Sequence, residues 1–376
     1  MGSTQDHALG RNRSFFCKAE TTYGTFVKPA AATDAAKVLG CSFDFSQERK
    51  NRMDSRSVRS VSERITGRKT VSWSVEAYLI PSGSGSTDPD LAPLFKAAMG
   101  ASSSQVFSLT SGQALDSLSL VQEMNSVVSE AVAGAFVETM TITMSGGDDP
   151  RVSFDGTGST HIHTSTTTAD GAGSSSTALV VDDADAIEVG SVIKVGSSAD
   201  NILVTAKNGT AITLESASSW SDGDAVVPFT PASPVTAGSP SPGITGSITL
   251  AGNSGIEIVG FDVSLKNNIK AISDEAFAST VTDFIPGFRE VAGNLQVRCA
   301  KDQALEIGKR KGFSARDLQI VSGTGTGNVV TIDMDQIEFG FSALNVPEAE
   351  EVIIDLPFIA LAQDAASNDE MTITFS

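Results

Sequence analysis

Along most of this chain the hydrophobic positions recur every second residue. In "ITGRKTVSWSVEAYLIPSG", Val71, Trp73, Val75, Ala77 and Leu79 alternate with Thr70, Ser72, Ser74, Glu76 and Tyr78. That spacing predicts a strand with one buried face and one polar face. "GAFVETMTITMSG" repeats it, setting Phe136, Glu138, Met140, Ile142 and Met144 against Val137, Thr139, Thr141 and Thr143. "NVVTIDMDQIEFGFSALN", "EEVIIDLPFIALAQ" and "EMTITFS" read the same way. Helical spacing is rare. Its best instance is "TDPDLAPLFKAAMG", where Leu91, Leu94, Phe95 and Ala98 would share a face, with Asp88 as cap, Pro89 in the first turn and Gly100 as the stop. A shorter helix is expected over Asp302 to Ile307, limited by Gly308 and Gly312. The predicted class is mainly β with a few short flanking helices.

The middle of the chain differs in character. "GTGSTHIHTSTTTADGAGSSSTA" opens it and "PFTPASPVTAGSPSPG" closes it, both poor in charge and rich in turn residues. Between them lie short apolar runs, "ALVVDD", "SVIKVG", "NILVTA", "TAITLES" and "DAVVPF", punctuated by "KNGT" and "SDGD". The expectation is a small all-β domain over residues 159–240, inserted on flexible linkers between a first module (1–158) and a second (241–376). With the insertion set aside, a repeat emerges. Phe43 and Asp44 match Phe261 and Asp262 at an offset of 218, and Ile65 and Gly67 match Ile285 and Gly287 at an offset of 220. Each half then reads as a strand, a polar arm, an I-x-G turn and a second strand, the pattern of a duplication.

Charge is unevenly spread. From Asp44 to Lys69 eight basic residues (Arg49, Lys50, Arg52, Arg56, Arg59, Arg64, Arg68, Lys69) outweigh four acidic ones, so the arm is at +4 while the whole chain is at −19. So acidic a chain does not present a general nucleic-acid surface. The arm, residues 44–70, can be a solvated loop, a nucleic-acid arm (though it lacks stacking aromatics), or a segment that docks on the acidic body of an identical subunit. The second arm, "KNNIKAISDEAFASTVTDF", is less basic.

Catalytic signatures are missing: no G-x-S-x-G, P-loop, strand-borne G-x-G-x-x-G or H-E-x-x-H. His161 and His163 would share a strand face, yet no acidic residue lies within five positions of either, and an exposed linker pair is expected. "VDDADAIEVG" lacks the order of a calcium loop, and "GTGTGN" precedes a strand, as a hairpin loop would. Cys17, Cys41 and Cys299 form no C-x-x-C pair, so no zinc site or disulfide framework is expected. No apolar run is long enough to span a membrane, and "MGSTQDHALGRNRSFF" has no apolar leader core.

Taken in order, "AETTYGTFVKPAAATDAAKVLGCSFDF", the arginine-rich arm, "ITGRKTVSWSVEAYLIPSG" and "PDLAPLFKAAMG" resemble the tail tube (major tail) proteins of bacteriophages. The resemblance runs over Phe16 to Gly100 and resumes over Gly260 to Ser376. It implies a β-sandwich flanked by a helix, assembled into rings that stack into a hollow tube, with a sheet of each subunit joining a continuous inner barrel. The repeat departs from a simple tube subunit, giving one chain duplicated β-sandwich or barrel modules. The basic arm would be the inter-ring loop and the inserted domain would project outward. Duplication makes a trimeric, pseudo-sixfold ring possible, and a hexameric one stays open. The implied partners are other copies of the chain, tape measure, tail terminator and distal tail proteins, with DNA passing the lumen without specific binding; no cofactor, metal or membrane is implied. The implied location is the virion tail, after synthesis in the host cytoplasm. The expected lumen-facing residues are Ser72, Ser74, Glu76, Thr139, Thr141, Thr143, Asp333 and Asp335, with Glu338 as a further candidate. The alternative is a phage or cell-surface adhesin that binds carbohydrate through the inserted domain; an enzyme is not expected.

Overall fold

The computed structural model describes residues 12–29, 31–53, 60, 63–112, 115–197, 201–229, 233–235, 238–252, 254, 256–272, 279–299, 316–340, 351–364 and 367–376. Its centre is one curved antiparallel layer, a half-barrel of eight strands. We number them β1 (Gly40–Asn51), β2 (Arg64–Tyr78), β3 (Val128–Ser145), β4 (Arg151–Gly158), β5 (Ile258–Lys266), β6 (Glu290–Arg298), β7 (Val330–Phe339) and β8 (Ile353–Ala360). Their spatial order is β1-β2-β4-β3-β5-β6-β8-β7. The first four and the last four are therefore laid out identically, as a duplication predicts.

The repeat is not copied residue for residue. In the first half Phe43 lies opposite Trp73. The matching Phe261 lies opposite Leu295, two residues beyond the expected Gly293. A slip of two keeps every side chain on its own face, so the core survives it. Gly293 is needed where it stands: a Cβ there would come within 2.6 Å of the Phe358 ring. Phe358 thus occupies volume that the bulky Trp73 supplies in the other half.

A second layer covers the core side of the first. In the first half it consists of Arg13–Ala19, Leu118–Met124, the start of β3 and Thr160–Ser165. In the second half it consists of Gly246–Leu250, Arg316–Ser322, the start of β7 and Thr372–Phe375. One apolar cluster runs between the layers through both halves. The hairpin after the helix, Gly100–Ser103 with Val106–Leu109, adds to the second half's layer by pairing with Thr372–Phe375. The halves therefore interlock.

The helix runs from Ala92 to Met99, shorter than the sequence suggests. Pro93, not Pro89, occupies its first turn, and Asp88 does not cap it. A proline without an N–H fits only where donors are unpaired anyway, so Pro93 sets the start. Gly100 ends the helix at φ 96°, a left-handed conformation. Phe95 is the helix's wedge, with ring centroids 5.2 Å from Phe154, 5.5 Å from Phe107 and 5.3 Å from Phe375. The expected helix at Asp302 to Ile307 lies outside the described residues.

A separate six-stranded sheet, from Thr167 to Pro228, has its own buried cluster around Leu179, Ile193, Val204 and Val226. It begins later than residue 159, because Thr160–Ser165 pairs with Val128–Ala133 of the main body. His161 and His163 are therefore on a strand and not in a linker. His161 is half-buried, 3.9 Å from Glu130 and stacked on Phe45. The sheet is seated firmly: Phe229 meets Phe16 edge-on at 4.9 Å, and the Thr164 and Ser191 hydroxyls lie 2.7 Å apart. The acidic "VDDADAIEVG" is a turn capped by the Asp183 carboxylate, which accepts from the Asp185 N–H.

Burial places the Glu123 carboxyl under tension. Glu123, wholly buried beside the tight turn at Asn125 and Ser126, accepts from the Ser126 N–H, and its Oε2 has no partner among the described residues. Burial pushes its carboxyl up to about 7, against the pull of the Ser126 hydrogen bonds. Between the unfolded value of 4.5 and about 7 the folded chain holds the extra proton, so Glu123 makes stability fall as pH rises through that window and adds no slope above it. Glu123→Gln, which keeps an acceptor for Ser126, should match the native thermal midpoint at pH 4.5 and exceed it at pH 8. Equal midpoints at both pH values would refute this.

Candidate assembly surfaces

Alternation puts the apolar side chains of the eight-strand layer into the core and leaves its other face polar. The register identifies the neighbours. One row across the layer runs Glu76, Ser153, Thr141, Ser264, Ala292, Ile359 and Glu338. The next runs Tyr78, Arg151, Thr143, Asp262, Asn294 and Pro357. A third joins Ser42, Ser74, Asp155, Thr139, Lys266 and Glu290. Ser72 continues the same face between Asp44 and Thr157. Six of the expected residues, Ser72, Ser74, Glu76, Thr139, Thr141 and Thr143, therefore share one surface, and Glu338 joins them.

Asp333 and Asp335 do not. Asp333 lies where β7 pairs with Arg316–Ser322 and Thr372–Phe375 of the second layer, and its carboxylate accepts from Gln319 at 2.7 Å. Asp335 sits at the irregularity between the two layers and accepts from Gln363 at 2.7 Å. The alternation of β7 was legible, but the point where the strand changes layers was not. The polar face has more carboxylates than cations. Glu76 pairs with Arg151 at 3.2 Å. Arg298 is held between Glu351 and Glu257. Asp155 and Asp262 are both raised above the usual carboxylate range by partial burial, Asp262 further by the charge of Asp355. β8 interrupts the polarity with Ile353, Pro357 and Ile359.

Among the described residues the layer has no further strand beyond either edge. Among the described residues, β1 pairs with β2 alone, and past Ile337 β7 pairs with β8 alone. Such rows of unpaired N–H and C=O groups are templates for another strand.

In its described residues the basic arm is a two-stranded ribbon. β2 pairs with β4 only from Val71 onward, whereas β1 and β2 stay paired out to Asn51 and Arg64. Arg49, Lys50 and Arg64 are exposed along the ribbon, and Lys50 lies 2.9 Å from Glu48. Arg52 pairs with Glu63, and Arg68 is half-buried. Arg56 and Arg59 lie outside the described residues. The second arm also carries a ribbon, Lys270–Ile272 with Asp283–Ile285, but it lies back on the body. Phe284 stacks on Phe136 at 4.4 Å, and Ser159 Oγ donates to the Val281 carbonyl.

Sequence reasoning overlooked the exposed apolar groups at the ends of these strands: Ile65, Ile285, Phe288 and Ile244. A signal existed, because Ile65 and Ile285 are the paired positions of the two I-x-G turns. The cysteines are free, with Cys17 buried and Cys299 exposed. Among the described residues no group of three or more His, Cys, Asp or Glu could hold a metal, and no helix is long and apolar enough to cross a membrane.

No curated protein matches this chain. The family model described as "Phage tail tube protein" matches residues 10–360, nearly the whole length, together with both halves of the β layer and both arms. The chain therefore belongs to the phage tail tube protein family, a structural component of the virion tail.

Proposed function

We propose that this protein polymerises through its eight-strand layer into closed rings that stack as a tube, and that the tube conducts DNA without chemical action on it. The observation that carries the reading is the seam inside the chain. β3, the last strand of the first set, pairs with β5, the first strand of the second, from Thr139 with Lys266 to Ser145 with Gly260. The two edges would offer the same pair again, with β7 corresponding to β3 and β1 to β5, β7 being described within the layer as far as Gly340. Joining β7 of one chain to β1 of the next repeats between chains a contact already made within one.

Strand number then favours three chains. At about 4.8 Å per strand and a tilt of about 40°, roughly 16 strands from two chains enclose roughly 20 Å clear of side chains, too tight for a hydrated duplex. Roughly 24 strands from three chains enclose roughly 35 Å. The face turned to that lumen would be the polar one, where hydroxyls and excess carboxylates give a polyanion little to bind. Tape measure, tail terminator and distal tail proteins are the partners expected at the tube's core and ends.

The basic ribbon would reach the next ring. The opposite end of the layer is acidic, with Asp148 and Asp149 in the β3–β4 turn and Glu76 and Asp262 nearby. Replacing Arg49, Arg52, Arg56 and Arg59 together with Ser should leave folded protomers that stack poorly. Native assembly should weaken between about 0.05 M and 0.5 M salt, as partly screened pairs do. Negative-stain images and sedimentation read both effects; unimpaired, salt-indifferent tubes from the quadruple variant would refute the docking role.

Residues 167–228 form a peripheral domain in this reading. Bridging Thr166 to Phe229 with Gly and Ser should preserve tubes, at some loss of protomer stability because the cluster of Phe16, Ile162 and Phe229 loses Val192 and Leu203. Folded protomers that no longer assemble would show instead that the domain belongs to the tube wall.

A further inference from the structure

Phe288 is the most exposed large hydrophobic residue described, at 96%. It is not on a loose segment. Its carbonyl accepts from Asn268 Nδ2 at 2.7 Å, and the Gly287 N–H donates to the Asn267 carbonyl. Asn267 is itself buried, donating to the carbonyls of Ala98 and Val137. The next residue, Arg289, is clamped by the Glu370 carboxylate at 3.0 Å and the Thr110 carbonyl at 2.9 Å. An aromatic ring fully in solvent on so fixed a backbone has already lost the freedom that docking would remove, the property of an interface anchor.

A matching recess lies at the other end of the same strands. A groove of about 440 Å³ is lined by Met144, Ile244, Ile248, Ile256, Ile258 and Phe261, with Arg298 and Glu257 at its rim. Ile244 is 86% exposed there. β5 runs from Ile258 at the groove to Lys266 beside Phe288, so groove and anchor stand roughly 27 Å apart along the strand. One protomer cannot bring them together. A second protomer stacked end to end can, and a contact between unlike patches at opposite ends repeats without closing, the geometry of a filament.

We infer that Phe288 inserts into the Ile244–Phe261 groove of a second copy of this chain in the adjoining ring. The inference rests on the tube reading and deepens it. Charge complementarity selects the occupant: beside the groove lies the acidic recess with Asp148, Asp149 and Asp262, and at the Phe288 end of the layer projects the basic ribbon of β1 and β2. Ribbon and recess, like Phe288 and groove, lie at opposite ends of the layer, so one end-to-end joint is where both pairs would meet. The two arms then dock by different physics. The first, at +4, works through charge. The second holds two basic and three acidic residues from Asn267 to Arg289, and works through an apolar anchor.

The test uses the full-length chain with Phe288→Ser and, separately, Ile244→Asp. Both sites are exposed, so each variant should keep the native thermal midpoint. Each should raise the critical concentration for tubes at least tenfold while single rings persist, and the double variant should do little worse than either alone. The Phe288 effect should not vary with salt, unlike that of the four-arginine variant. With p-benzoylphenylalanine in place of Phe288, illumination of tubes should cross-link to residues 244–261 of another copy. Normal tubes from both variants, or cross-links elsewhere, would overturn the anchor while leaving the tube reading intact. A native chain that forms neither rings nor tubes would overturn the tube reading itself.

Discussion

The backbone seam between β3 and β5 is the contact on which the rest depends. It welds two copies of a four-strand unit into one layer, and it fixes which groups are left unpaired at the edges. Single sheets of this kind face a constraint that hydrophobic burial cannot meet. Their terminal N–H and C=O groups must be paired, covered or blunted, or the edge recruits a stranger. Among the described residues neither edge is covered by a further strand, and only the Arg13 guanidinium, on the Leu39 and Cys41 carbonyls, caps the start of β1. Closure with further copies, as in the proposed ring, is a resolution that uses no new kind of contact.

Interlocking makes the two halves one unit despite their repeat. The hairpin at Gly100 to Leu109 comes from the first half and pairs into the second, and Phe95 packs on strands of both. A ring built from such chains would have alternating, unequal seams. The two-residue slip at Phe261, Gly293 where the first half has Trp73, and an apolar arm where the first is basic all show how far the copies have diverged while keeping the same faces inside.

Much of this was legible in the alternation. Val71, Trp73, Val75 and Ala77 are buried as the period of two requires, and the repeat of Phe43 with Phe261 marked equivalent strands before any coordinates did. What alternation cannot carry is a change of layer. Asp333 and Glu338 both lie on the non-core face of β7, but the irregularity between them sends the strand from one layer to the other, so only Glu338 reaches the shared polar face. The histidine strand was lost for a related reason: its Thr- and Ser-rich surroundings look like a linker until Val128–Ala133 pairs with them. Phe288 escaped because a lone aromatic beside Gly287 carries no period at all. Its exposure depends on Arg289 and Asn268, residues whose partners lie far along the chain.

The most direct measurement is a cryo-microscopy cross-section of tubes assembled from the purified chain, at a resolution that separates strands. The account predicts three chains per ring, a continuous inner β wall in which β7 of one chain pairs with β1 of the next, and a lumen lined by Ser72, Thr141, Ser264 and Asp262. Rings in which β1 or β7 keeps a free edge, or in which the polar face points outward, would contradict it.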